Sequence, residues 1–281
     1  MYEEYWNLNE CPFENTPDPR FLYYSPQHKE GLSRLLYIVE RRKGAGMLTG
    51  VFGCGKTVLG QALFNALNKN IYQIAFINNP HLKSVELLRA IARQLGAEDL
   101  PKKITEMSTD YFLEVIDNIL TNNVKDGKET LVIIDEAHVI DDMDAFEELR
   151  LLLNFQLENR FLLTLLLMGQ PELRERVRKN KQLAQRIAMG YHLEPLSQKE
   201  TGIYITHRLE VAGGKISIFT KQALKPIYDN SGGIPRRINQ ICDTCLITGF
   251  QYGAKIIDEK IVNEAVETLW ECSLCMRNIG I

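Results

Sequence analysis

Apolar residues follow two different rhythms along this chain. In roughly the first two thirds, short solid apolar runs alternate with stretches where apolar residues recur every three or four positions. The runs over 47–49, 71–77, 131–134, 161–168 and 191–193 predict strands. Those at 131–134 and 161–168 have no polar alternation, which marks strands buried on both faces of a parallel sheet. Between the runs, Leu32, Leu35, Leu36 and Val39 predict a helix, as do Val58, Leu59, Ala62, Leu63 and Leu67. Val85, Leu88, Ile91 and Leu95 give a third, and Phe112, Val115, Ile116, Ile119 and Leu120 a fourth. Strands alternating with helices imply βαβ units and a three-layer α/β domain with a parallel sheet. From about Pro195 the buried runs stop and helical spacing continues alone, interrupted at Gly213-Gly214 and Gly232-Gly233. The division expected is an α/β domain over 1–195, opening with an irregular lead-in (1–25), and a smaller helical domain over 196–281.

Composition narrows the picture in two ways. Lys and Arg number 33 against 36 Asp and Glu, a net charge of −3, so no global basic field draws the chain to nucleic acid or anionic lipid. No apolar stretch is long enough to span a bilayer, and the first residues carry Glu3 and Glu4 without an apolar run. A cytoplasmic protein is expected, peripheral to the inner membrane only through a partner. The pairs Cys242/Cys245 and Cys272/Cys275 admit a zinc site, but their spacing is longer than in a usual zinc ribbon and the plainer reading is reduced thiols packed among helices.

Two motifs carry chemistry. Gly50-Val51-Phe52-Gly53-Cys54-Gly55-Lys56-Thr57 matches G-x-x-x-x-G-K-[ST], follows an expected strand and opens an expected helix. Its glycines let successive backbone N–H groups turn inward on phosphate oxygens, and the helix beginning near Lys56 adds the positive end of its dipole. Gly50, Gly53, Cys54, Gly55, Lys56, Thr57 and Val58 form the candidate ATP cradle. Lys56 faces the β- and γ-phosphates, and the Thr57 hydroxyl is a candidate Mg2+ ligand. The second motif is the run 131–134 ending in Asp135-Glu136. Asp135 is the second Mg2+ candidate and Glu136 the general base for the attacking water. An acidic pair after a strand can also serve as a helix N-cap, a part that Asp141-Asp142 fits better. Asp135-Glu136-Ala137-His138 also spells the box of one helicase group, but the chain has no room for the second motor domain such enzymes need. His138 reads as a local hydrogen-bonding residue.

One expected strand, 71–77, lies in sequence between the two motif strands, as in AAA+ and related P-loop ATPases. Beyond this, the chain resembles the AAA+ ATPases of the general secretion pathway protein A (ExeA-like) family, with kin in pilus-biogenesis and PEP-CTERM loci and, more distantly, among transposition regulators. The resemblance rests on Cys11-Pro12-Phe13 with Pro17-Asp18-Pro19-Arg20-Phe21-Leu22-Tyr23, the phosphate loop, Asn79-Pro80 and Asp135-Glu136-Ala137. It continues through Gly169-Gln170-Pro171-Glu172-Leu173, Leu183-Ala184-Gln185-Arg186-Ile187 and Gly232-Gly233-Ile234-Pro235-Arg236-Arg237-Ile238-Asn239, and covers about residues 1–270. It implies a P-loop NTPase of the AAA+ class with a helical lid. It also implies roles for further residues: Gln170 as sensor 1, Arg236 (or Arg237) as sensor 2 from the lid, and Arg186 as an arginine finger onto a neighbouring subunit. Asn79 would hold Glu136 in an inactive rotamer. Each has a plainer reading: Gln170 as an N-cap, Arg186 on a solvated face, Asn79 as a turn residue. In the lead-in, Phe13 or Tyr24 could cover the base or simply pack.

The function implied is an ATP-hydrolysing, nucleotide-dependent homo-oligomer that assembles or remodels a protein complex in a secretion, pilus or surface-polysaccharide system. Secretion-type relatives often continue into a transmembrane segment and a peptidoglycan-binding domain; with neither present, direct wall binding is not expected. The alternative is a DNA-binding ATPase regulating transposition, whose phosphate contacts would fall to Lys102-Lys103 and the basic cluster over 174–181. A switch that binds nucleotide without hydrolysing it is opposed by the presence of Glu136.

Overall fold

The computed structural model describes residues 1–78, 80–98, 100–101, 108–157, 160–214 and 218–278, with side chains as far as 269. Asn79 and Lys102-Lys103 lie outside the described residues, so the readings placed on them are carried no further. By contacts the chain divides into two units. One is Pro26–Phe52 with Lys56–Leu193; the other joins Met1–Ser25, Gly53–Gly55 and everything from Glu194 onward.

The first unit is built on a five-stranded sheet, in the order β2-β3-β6-β1-β7, in which every pairing is parallel. Its strands are β1 (Ala45–Gly50), β2 (Tyr72–Ile77), β3 (Glu129–Ile134), β6 (Leu163–Gly169) and β7 (Ile187–Leu193). The three central strands are almost wholly buried, as their unbroken apolar runs require. The helices α2 (Pro26–Glu40), α3 (Lys56–Ala66), α4 (Ser84–Gln94), α5 (Thr109–Lys125), α6 (Met143–Leu152), α7 (Leu173–Lys179) and α8 (Lys181–Arg186) complete this unit. Helix starts follow local chemistry: Ser108 caps α5 through Tyr111 N–H, and Asp142 caps α6 through Asp144 N–H. The apolar run expected as one strand over 161–168 is divided. Arg160–Phe161 (β5) pairs antiparallel with Gln156–Leu157 (β4), and only then does β6 enter the sheet. The strand between the two motifs in the chain, β2, is at the sheet edge; the one that separates them in space is β6.

The second unit holds α9 (Gln198–Val211), α10 (Lys221–Ser231), α11 (Pro235–Gln251) and α12 (Glu259–Asn278). The lead-in, grouped by sequence with the α/β domain, shares this unit's core instead. Tyr2 and Trp6 of α1 (Tyr2–Trp6), with Leu8, Phe13 and Phe21, pack among Tyr204, Leu209, Ile227, Ile238 and Leu246. Trp6 Nε1 donates to the Leu246 carbonyl (3.0 Å). Phe13 is buried edge-on to Phe219, so it packs; Tyr24 is exposed. Cys242 and Cys245 are buried thiols in α11, which raises both above the ordinary thiol range. The side chains of Cys272 and Cys275 lie outside the described residues. Among the described residues no cluster of His, Cys, Asp or Glu could hold a metal ion by itself, and no helix is long and apolar enough to cross a membrane.

Candidate nucleotide site

A parallel sheet brings its strand ends together at one edge, where the polypeptide can present groups to a ligand without interrupting the sheet. Here β3, β6 and β1 lie side by side, with Thr49 level with Gly169 and Ile134 level with Leu167. The residues that follow them are the phosphate loop after β1, Asp135-Glu136 after β3 and Gln170 after β6.

The loop after β1 turns through two residues in the left-handed region, Gly53 (φ 83°) and Gly55 (φ 98°), before α3 begins at Lys56. Cys54 between them is buried, and Val58 is half-buried in the first turn of α3. Lys56 is only 4% exposed, and its ammonium donates to the carbonyls of Gly50 (3.0 Å) and Val51 (3.1 Å). Among the described residues no carboxylate bonds to it directly, so this buried cation is met by carbonyl dipoles and by the nearby charge of Asp135. That arrangement favours an incoming anion.

Thr57 Oγ1 donates to Asp135 Oδ2 at 2.6 Å, and the Glu136 N–H donates to Asp135 Oδ1 at 2.9 Å. Asp135 is almost completely buried. Burial pushes its carboxyl above the usual carboxylate range, opposed by these two hydrogen bonds. A hydroxyl and a buried carboxylate in contact suit a hard cation that keeps most of its water, which is the donor set magnesium takes. The residues therefore fit a magnesium nucleotide.

Glu136 occupies the left-handed region (φ 52°), unusual for a residue with a Cβ. Strain of this kind costs on the order of 1 kcal/mol and is characteristically found at functional sites. Its carboxylate lies beside His138, with Oε2 3.3 Å from Nδ1. Gln170 is not a side-chain cap for α7; its amide Nε2 is 2.9 Å from His138 Nε2, and its backbone N–H donates to His138 Nδ1 (3.3 Å). Sequence reading took His138 as a local hydrogen-bonding residue, and its partners here are Glu136 and Gln170.

Arg186 ends α8 and is tied within its own unit. It donates to the Leu153 carbonyl (2.7 Å) and Asn154 Oδ1 (2.8 Å), and its guanidinium lies over the Phe161 ring. In the other unit, the Arg236 backbone N–H donates to the Gly53 carbonyl (3.2 Å), and Arg237 follows in the first turn of α11. The basic cluster over 174–181 is partly engaged internally. Arg174 donates to Thr49 Oγ1 (3.1 Å) and Arg176 to Asp141 (3.0 Å), while Arg178, Lys179 and Lys181 are exposed.

Comparison with known proteins agrees with this geometry. The AAA domain model matches residues 39–177. Two solved structures share the fold at low identity. The Aeropyrum pernix ORC2 protein, in its ADPNP–ADP complexes, aligns with a TM-score of 0.68 and 19% identity over 92% of this chain and 71% of that one. Cdc6p from Pyrobaculum aerophilum aligns with a TM-score of 0.69 and 17% identity over 90% of this chain and 69% of that one. The chain is a nucleotide-binding protein of the AAA+ class. Within that class it is homologous to general secretion pathway protein A of Aeromonas hydrophila, to which it is 39% identical over 271 residues, 95% of this chain. It spans 48% of that protein's length.

Proposed function

We propose that the chain binds ATP with magnesium at the ends of β1, β3 and β6 and hydrolyses it, coupling turnover to the assembly or remodelling of a protein complex in a secretion, pilus or surface-polysaccharide system. The observation that carries the hydrolytic reading is the contact of Thr57 with Asp135 beside a Glu136 held at positive φ. Thr57 and Asp135 hold the magnesium, and Lys56 leaves its loop carbonyls for the β- and γ-phosphates. Bound magnesium neutralises charge on the phosphate oxygens. Glu136 takes the proton of the attacking water, Gln170 orients that water or the γ-phosphate, and Arg236 is the candidate second sensor of the phosphates.

Arg186 serves a neighbouring subunit's nucleotide. To do so it must exchange the Leu153 carbonyl and Asn154 for a γ-phosphate, which makes assembly dependent on nucleotide. Sedimentation with and without a non-hydrolysable ATP analogue reads this directly: a nucleotide-dependent oligomer is expected, and a monomer in both conditions contradicts it. For the hydrolytic reading, phosphate release from ATP by the purified chain should require magnesium. Absence of release, or release indifferent to magnesium, overturns it.

A further inference from the structure

His138 meets two residues that the proposed mechanism uses separately. It follows Glu136 by two positions, in the short 3-10 turn Ala137–Val139, and its ring lies against the start of the segment after β6. Gly169 makes that approach fit: a Cβ there would stand 3.2 Å from both the backbone nitrogen and Nδ1 of His138. The imidazole is largely buried, with a side-chain exposure of 13%.

Its Nδ1 faces two groups with opposite demands. The Gln170 backbone N–H, at 3.3 Å, needs a lone pair; the Glu136 carboxylate oxygen, also at 3.3 Å, needs a proton. A neutral imidazole carries one proton, so the tautomer decides which contact is a hydrogen bond. The other ring nitrogen settles the matter, since Nε2 is 2.9 Å from the Gln170 side-chain amide. When the amide presents its N–H, Nε2 accepts, Nδ1 carries the proton, and Glu136 is held. When it presents its oxygen, Nε2 donates, Nδ1 accepts from the Gln170 backbone, and Glu136 loses its partner. Each orientation leaves one group without its partner, the Gln170 backbone N–H in the first and Glu136 in the second, so the pair has two discrete states.

We propose that His138 is a positioning residue that aims Glu136 for turnover and transmits to it the orientation of the Gln170 amide. This rests on the reading of Glu136 as the base and Gln170 as the nucleotide sensor. It adds a physical link between them that neither motif contains.

The test has two readouts. In nucleotide-free protein, ring ¹⁵N shifts of His138, assigned with His138→Asn, should show Nε2 protonated, with Nδ1 accepting from the Gln170 backbone N–H. Glu136→Gln or Gln170→Ala should change the balance between the two tautomers. A His138 tautomer unaffected by both substitutions overturns the proposal without reference to turnover. In kinetics, His138→Ala should lower kcat about tenfold while leaving ATP affinity unchanged, since only the placement of the base is lost. His138→Asn, whose Nδ2–H stands where Nδ1–H stood, should recover most of that loss. The double variant with Gln170→Ala should cost no more than the larger single effect. An unchanged kcat, equal losses in affinity and kcat, or no recovery with Asn overturns it. Glu136→Gln separates the two levels of claim. If that variant turns over normally, the base assignment fails. If it is inactive while His138→Ala is normal, only the link through His138 fails.

Discussion

Each unit buries a cation, and the two are satisfied in opposite ways. In the helical unit Arg208 is enclosed by fixed partners: it donates to the carbonyls of Pro12 and Glu14 and to the Tyr204 hydroxyl, which in turn donates to Asn239 Oδ1 (2.7 Å). Asn239 returns to the lead-in through Asn15 Oδ1 (3.1 Å). This network consumes the guanidinium's directional donors and joins segments nearly two hundred residues apart. In the α/β unit, among the described residues, Lys56 donates to two carbonyls of its own loop with the charge of Asp135 nearby, and Asp135 accepts from a hydroxyl and one N–H. A compact ammonium on carbonyl dipoles can exchange them for a phosphate; a guanidinium locked by planar geometry cannot move without unpicking the core. Buried charge is thus a staple in one unit and a reserved binding capacity in the other.

The sharpest break in that contrast is Lys56→Ala. It should weaken ATP binding at least about 100-fold, or ~3 kcal/mol, with the fold intact. A titration giving near-wild-type affinity would return Lys56 to the structural category. Arg208→Met should do the reverse. It leaves the Pro12 carbonyl without its donor and Glu14 with only the longer Asn239 contact (3.4 Å) among the described residues, and should cost about 2 kcal/mol of stability, read as a lower denaturant midpoint. A midpoint unchanged from wild type would mean the network is not a staple.

These two cations also show what the sequence could and could not disclose. The phosphate loop that holds Lys56 was legible because eight contiguous residues define it, together with the strand and helix around them. The buried run before Asp135-Glu136 was legible for the same reason. Arg208 was not, because its partners lie in the lead-in and no local pattern links positions 12–15 to 204–239. The same limit grouped the lead-in with the α/β domain and left the partners of His138 unnamed. The β4–β5 hairpin was hidden inside an apolar run that reads as one strand, although Leu162 N–H turns back to the Phe155 carbonyl before β6 begins. Arg186 was read as a finger or as a solvated side chain, and the acceptors it meets within its own unit, a carbonyl and an amide, are ones that charge patterning does not register.

A smaller effect tests whether Asp135 is held for a ligand rather than for stability. Burial raises its carboxyl pKa in the folded protein above the unfolded value. Ionised Asp135 therefore costs stability above the unfolded pKa, and the cost disappears as pH falls through the folded pKa. Asp135→Asn can accept from the Glu136 N–H through its amide oxygen and donate to the Thr57 hydroxyl through its NH2, and it removes that cost. Without nucleotide it should raise the melting temperature by about 2–4 °C at neutral pH, roughly 1 kcal/mol, while abolishing magnesium-dependent turnover. The difference in melting temperature should shrink on acidification. A lower melting temperature for the variant at neutral pH would show that the carboxylate stabilises the fold. The smallest effect is expected from Gly169→Ala. The added methyl presses on His138 and should lower kcat about threefold with ATP affinity and folding unchanged; kcat equal to wild type would mean the ring adapts without moving Glu136.

The most direct test of hydrolysis at this site is the identity of the nucleotide retained after incubation with magnesium and ATP. Wild-type protein should retain ADP. Glu136→Gln should retain uncleaved ATP at comparable occupancy, because the amide preserves shape and removes the base. ADP recovered from Glu136→Gln as fast as from wild type would contradict the assignment of Glu136 and, with it, the proposed chemistry of the β3 end.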